Sequence, residues 1–193
     1  MSSGDPVEAM ARRLIGSARQ CGVPADGQSQ IEAAFRAASA TRGNVDQHDP
    51  ALLHPARTVL ILINDAHVAA ADTLTAAALA ESEDRHLVVP IEQIKQDFNA
   101  RVAELVEAIP DPAQSGDELL ETLLAADPDA QLIAVAERLD HARHLHLKPT
   151  TLWADHHDIV RRAYLPVAER IDATLGRRLR WWCSMFERQY LKR

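Results

Sequence analysis

Apolar positions recur along this chain at helical spacing, and nowhere do they alternate as in a half-buried strand. Ala and Leu dominate the apolar set, while Gly and Pro fall between the periodic segments. A first helix is expected after Pro6, stopping near Gly22, where Cys21-Gly22-Val23-Pro24 reads as a C-terminal stop. A second spans about 28–41, with Ile31, Phe35 and Ala38 on one face. Asp49-Pro50 opens a third segment through Leu53, His54, Val59, Leu60 and Ile63 that ends near Asn64-Asp65. Asp72 is the expected N-cap of an alanine-rich helix over 73–83, because its carboxylate can accept the free N–H groups of the first turn. Pro90 starts a short helix to about Phe98, and 101–109 continues the pattern until Pro110-Asp111-Pro112 breaks it. After the 113–116 loop, Asp117 caps a helix to Ala126, and Asp127-Pro128 begins a long run to about Leu147. On that run Leu132, Val135, Ala136, Leu139 and Ala142 follow the i, i+3, i+4, i+7 rule, and Lys148-Pro149 ends it. A final pair, 155–175 and 176–190, completes an all-α chain of about eight to ten helices.

The chain has 193 residues, with 47% hydrophobic and 25% charged positions, which suits one folded domain over 1–193. Two cysteines, Cys21 and Cys183, stand in no metal-like spacing, so a disulfide framework or zinc ribbon is not expected and a reducing compartment is. No run approaches the ~18 consecutive apolar residues of a spanning helix, and no charged start leads into an apolar stretch. A soluble cytoplasmic protein without a membrane partner is the expectation. Lys plus Arg number 21 against 28 Asp plus Glu, a net charge of −7 that disfavours nonspecific binding of nucleic acid. The charge is unevenly spread: residues 177–193 carry six cations and one Glu (+5), leaving −12 on residues 1–176. That basic tail also holds Trp181, Trp182, Phe186 and Tyr190. Trp182, Phe186 and Tyr190 repeat every four residues, which predicts that this face docks on the body with Arg178, Arg180 and Arg188 left in water. Contact with a membrane or a partner is the other use of such a face.

Nine histidines invite mapping. Glu137, His141 and His144 are spaced by four and three residues and share one helical face, where a carboxylate and an imidazole can ligate a divalent metal. The same spacing describes a solvated face with charge pairs, the commoner arrangement. Glu81, Glu83 and Asp84 cluster where the alanine-rich helix should end, and the macrodipole there disfavours negative charge. A metal, an arginine such as Arg85, or solvent would offset that cost. His48-Asp49 and His157-Asp158 read as a pre-helix loop and a helix-capping segment rather than ligand pairs. Clustered glycines and Gly-x-Ser-x-Gly are absent, so dinucleotide, P-loop and serine-hydrolase functions drop out.

The order of these motifs over about 31–182 resembles the hydrolase half of the RelA/SpoT alarmone proteins, an HD-domain family. The landmarks are Pro50-Ala-Leu-Leu-His54-Pro55, the 73–84 stretch, the 97–106 stretch, Val135-Ala-Glu-Arg-Leu-Asp-His-Ala-Arg143 and Tyr164-Leu-Pro-Val-Ala-Glu-Arg-Ile171. The resemblance implies an orthogonal helical bundle that removes pyrophosphate from guanosine tetra- and pentaphosphate with one Mn²⁺. The closest comparison is the small stand-alone hydrolases, with 1–27 as an N-terminal extension. Carried over, the implied metal ligands are His54, Glu81 and Glu137. The family's His-Asp pair falls on Ala80-Glu81, or on Leu79-Ala80 in a register slipped by one, so one imidazole is lost; His141 is the candidate to fill the gap. The acidic pair serving the attacking water corresponds to Glu83-Asp84, one residue closer to the metal pair than in the family. On a continuous helix that shift is a turn of about 100° and misaims a general base. Implied substrate contacts are Arg138, His141 and Arg143, while Val45-Asp46 replaces the family's Arg-Lys guanine clamp.

Departures in the metal set, the acid pair and the base clamp lead to the reading of a degenerate HD-domain protein, catalytically impaired and acting as a binding or regulatory module. The alternative is a divergent nucleotide phosphohydrolase using Mn²⁺ or another divalent cation. A scaffold that recruits through the basic aromatic tail is a third class. A nucleotide ligand and a second copy of the chain stay open as partners.

Overall fold

The computed structural model describes residues 5–84, 86–110 and 116–192. Arg85, most of the break at 110–112 and the 113–115 part of the following loop lie outside them. Every regular element among the described residues is helical: α1 (Pro6–Gln20), α2 (Ala25–Ala40), α3 (His54–Asp65), α4 (Ala71–Leu79), α5 (Ile91–Asp97), α6 (Ala100–Glu107), α7 (Gly116–Ala125), α8 (Pro128–His144), α9 (Trp153–Ile159), α10 (Leu165–Ile171) and α11 (Ala173–Phe186). A π-helical turn, Val160–Tyr164, joins α9 to α10 without a break, so these segments form ten separate rods. Pro166 follows that turn and has no N–H to return to the preceding carbonyls, a defect that a π turn accommodates. None of the helices is long and apolar enough to cross a membrane.

Acidic and amide side chains start several helices: Asp5, Asn99, Asp127 and Asp172 each accept backbone N–H groups of the first turn. Asp49 does the same for the 3₁₀ turn Pro50–Leu53 that leads directly into α3. One core runs through the molecule, with Leu14, Phe35, Leu62, Leu74, Ile94, Leu105, Leu119 and Ile133 completely buried. α3, α4 and α8 pack on one another at its centre.

Several boundaries differ from expectation. α7 begins at Gly116, so Asp117 stands in its first turn instead of capping it, and α9 begins at Trp153, before Asp155. α2 begins at Ala25, straight after Pro24, because Pro24 in an extended conformation can itself serve as the cap. α4 begins at Ala71, so Asp72 stands inside its first turn, where it accepts from Gln30 and Asn99 instead of capping. α4 also ends at Leu79: Ala80 is extended, and 80–84 form a bend rather than a last helical turn. Gly176 does not divide the last two helices. The break falls at Asp172, which is extended and caps α11 through the N–H groups of Thr174 and Leu175. Gly176 lies within α11 where the helix crosses α10 so closely that a Cβ would stand 2.9 Å from Cα of Glu169.

The basic C-terminal helix packs by its aromatic face. Trp182 and Phe186 are buried and Tyr190 half-buried, in a stack that includes His157 and Trp153. His157 lies inside helix α9, not in a capping segment, and its Nε2 meets the carbonyl of Cys183 at 3.0 Å. Arg178 and Arg180 are exposed and pair with Asp65 and Glu169, while Arg188 donates to the carbonyl of Ser184. Trp181 points outward, 65% exposed. Trp182→Ala is therefore expected to lower stability by about 3–5 kcal/mol, as other buried Trp truncations do. Trp181→Ala should stay within about 0.5 kcal/mol. Urea denaturation of the two variants checks the contrast.

Candidate metal centre

Three elements bring the candidate residues together. His54 is the first residue of α3, Glu81 lies on the bend after α4, and Glu137, Asp140 and His141 project from α8. Glu137 is 2% exposed and the His141 side chain 15%, so this face of α8 is interior rather than a solvated face with charge pairs. His144 lies on the same face but turns back, its Nδ1 2.8 Å from the Asp140 carbonyl oxygen.

Each imidazole turns Nδ1 toward a carboxylate, His54 through a hydrogen bond and His141 through a longer contact. Nδ1 of His54 donates to Asp140 Oδ2 at 2.8 Å. Arg57 grips the same carboxylate through Nε and a terminal nitrogen, both at 2.8 Å. Burial pushes the Asp140 carboxyl up, but the hydrogen bonds from His54 and Arg57 outweigh it and hold the group well below the usual carboxylate range. Nδ1 of His141 faces a second carboxylate, Glu83 Oε2, at 3.4 Å. Burial raises that carboxyl too, yet His141, Arg138 and Lys148 hold it at about 2. With Nδ1 turned to an anion in each ring, Nε2 carries the free lone pair of a neutral imidazole. Both Nε2 atoms are buried and have no hydrogen-bond partner. The rings lie side by side, centroids 4.2 Å apart and tilted by 31°.

His141 Nε2 points at carboxylates: Glu137 Oε1 at 3.6 Å and Glu81 Oε1 at 3.9 Å. A lone pair against two anionic oxygens is repulsive unless a positive charge stands between them. A proton is disfavoured there, since burial and the adjacent His54 push the His141 pKa down. A metal ion removes the conflict. Two ligands about 2.1 Å from a tetrahedral ion stand about 3.4 Å apart, close to the spacings here. His54, Glu81 and His141 present donor atoms that all lie within 4.8 Å of one another. The orphaned imidazole nitrogens and this mixed N/O donor set fit a divalent cation of the Mn²⁺ or Zn²⁺ type better than Mg²⁺ or Ca²⁺, which prefer oxygen alone.

The acidic bend is held by its own backbone. Glu81 Oε1 accepts from the N–H groups of Glu83 and Asp84 at 3.0 and 3.1 Å, and Ser82 N–H donates to Glu137 Oε1 at 2.6 Å. Because these residues have left the helix, the rotation of about 100° per residue does not govern where Glu83 and Asp84 point. Glu83 is enclosed by Arg138, at 2.7 Å, and Lys148. Asp84 is exposed, accepts from His86 N–H and lines the cleft in front of the imidazoles. The offset expected for the acids at the end of α4 comes from Arg42, whose guanidinium meets Glu81 Oε2 at 2.7 Å, both side chains nearly inaccessible.

Arg138 is buried behind the site against Glu83, over the ring of Tyr164. Arg143 faces Asp65 at 3.8 Å and does not line the cleft. Val45-Asp46 lies in the turn after α2, outside the cleft lining. Arg42, Arg57 and Lys148 carry no motif in the sequence, and only the fold reveals them as partners of the cluster; Asp140 was legible solely as an acid one position before His141. No protein-family model matches the chain, and no curated protein matches it.

Removing one member of a buried ion pair leaves the other charge uncompensated. Arg42→Met is thus expected to cost about 3–5 kcal/mol. The double variant R42M/E81L should recover part of that loss in thermal and urea denaturation.

Proposed function

We propose that the chain is a divalent-metal-dependent hydrolase of a phosphate ester, with His54, Glu81, Glu137 and His141 holding the ion. The observation that carries this reading is a pair of buried, unpartnered imidazole Nε2 atoms at one cleft, with His54, Glu81 and His141 within ligating reach of one another and Glu137 beside His141. The family resemblance supplies the reaction class. When bound, a divalent cation supplies Lewis-acid activation of water and of the phosphoryl group. The chain's own residues do the rest. Asp140 and Glu83 fix the two imidazoles in the orientation that presents Nε2. Arg57 and Lys148 line the cleft as cations for an anionic group. Asp84 is the accessible carboxylate positioned to take a proton, whereas Glu83, ionised down to about 2 and wrapped in cations, is a weak base and acts by orienting His141.

The same state of Glu83 favours a second reading, a module that keeps the metal and a bound anion but has lost turnover. Metal analysis of the purified protein decides between these and a metal-free role. One Mn²⁺ or Zn²⁺ per chain is expected, with affinity falling at least about 100-fold in His54→Ala and His141→Ala, and about 10–100-fold in Asp140→Asn. Metal uptake with hydrolysis of phosphate esters supports the enzyme; uptake without it identifies the module. A wild-type chain that takes up no ion at micromolar Mn²⁺ or Zn²⁺ sinks both.

A further inference from the structure

The cleft in front of the imidazoles encloses about 310 Å³, the lower end of the ~300–1,000 Å³ typical of small-molecule sites. Its charges are already largely spent. Arg57 is committed to Asp140 by two hydrogen bonds, and Lys148 to Glu83. Arg42 is buried against Glu81 and does not line the cleft. Asp49 and Asp84 also line it; their carboxylates accept backbone N–H groups of Ala51 and His86, and among the described residues neither forms a close ion pair, although the buried Arg42 guanidinium attracts Asp84 through space. A first phosphoryl group can be met by the metal and by the outward sides of Arg57 and Lys148. A second or third meets unneutralised carboxylates instead.

Apart from the half-buried His144 and the metal-site residues, the rest of the lining is apolar. Leu87 is half-buried, and Leu147, on the 3₁₀ turn after α8, is 61% exposed with its flank on the cleft. Pro50 and Ala51 complete that wall. An exposed leucine beside a charged cluster gains from being covered by an apolar group that a phosphate alone cannot provide.

We infer that the cleft takes a monophosphate ester whose alcohol portion is compact, uncharged and apolar, and that it discriminates against substrates carrying more than one phosphoryl group. This rests on the metal-centre reading and names its substrate class. It runs against the polyphosphorylated nucleotide that the family resemblance implies.

The test uses the full chain loaded with Mn²⁺ and kept in excess Mn²⁺, with metal content measured before and after titration. Calorimetric affinities are taken for inorganic phosphate, phenyl phosphate and benzene-1,4-diol bisphosphate, which adds a second phosphoryl group to the same ring. Phenyl phosphate should bind at least about tenfold more tightly than either of the others. Leu147→Asp should erase its advantage over inorganic phosphate while leaving metal content intact, and Asp49→Asn should narrow the gap to the bisphosphate. Equal or tighter binding of the bisphosphate, or a Leu147→Asp variant that binds phenyl phosphate as the wild type does, overturns the substrate class and leaves the metal centre standing. Failure to load Mn²⁺ is the separate result that removes the metal centre, and this inference falls with it.

Discussion

A guanidinium with 1% of its surface exposed must find a partner for each of its donors, and Arg42 organises the molecule by doing so. Its Nε donates to the carbonyl of Ala51 at 3.0 Å, one terminal nitrogen to the carbonyls of Ala38 and Leu87 at 2.8 and 3.2 Å, and the other to Glu81 at 2.7 Å. The planar fork allows little freedom, so the end of α2, the turn that delivers His54 and the bend that carries Glu81 meet at one fixed point. α8 then closes on this group from the far side. Glu137 accepts from the Ser82 N–H, and Asp140 receives both His54 and Arg57. The separation of the imidazoles and carboxylates is a consequence of burying that one cation.

The same logic explains why α8 buries Glu137, Arg138 and Asp140 within one turn, where an ordinary core helix would be apolar. Each charge has an opposite or hydrogen-bonded partner from another element: Ser82 for Glu137, Glu83 for Arg138, Arg57 for Asp140. Ionic interiors of this kind add little net stability compared with apolar packing, but each member becomes costly to remove alone. What they contribute here is position. Aligned imidazoles with free Nε2 atoms need carboxylates on their Nδ1 sides, and those carboxylates need cations behind them.

Some helix starts were legible because they are local: Asp49 and Asp127 cap through side-chain bonds to residues two positions on. Ends decided by tertiary contact were not. Nothing between Leu79 and Glu83 forbids helix, yet α4 stops because the following residues are pulled onto Arg42 and Glu137. That early stop removes the helical phase from Glu81, Glu83 and Asp84. Gly176 misleads for a related reason. A glycine in a helix reads as punctuation, while here it permits the close crossing of α10 and α11. At the site, the pairing of Glu137 with His141 was visible as an i, i+4 spacing, and His54 as a His before Pro. The carboxylate behind each imidazole was hidden, since His54 and Asp140 are 86 positions apart and no sequence pattern relates them.

Charge shows the same division between what a sequence totals and what a fold distributes. Read as a sum, −12 over residues 1–176 suggests a body that repels any phosphate. In the folded chain the acids nearest the imidazoles are opposed one by one: Glu81 by Arg42, Glu83 by Arg138 and Lys148, Asp140 by Arg57. Bound charge of both signs at 2.7–2.8 Å leaves dipoles, whose potential falls off faster than that of a net charge. Glu137 is the inner acid that meets a backbone N–H and imidazoles rather than a full opposing cation on its cleft side, and it is also the one that His141 Nε2 faces most closely. A cation between them would complete the neutralisation that the protein carries out at every other buried carboxylate of the site. The acidity of the chain therefore acts less on the centre of the cleft than on its mouth, where Asp49 and Asp84 stand in solvent without a close ion-pair partner among the described residues.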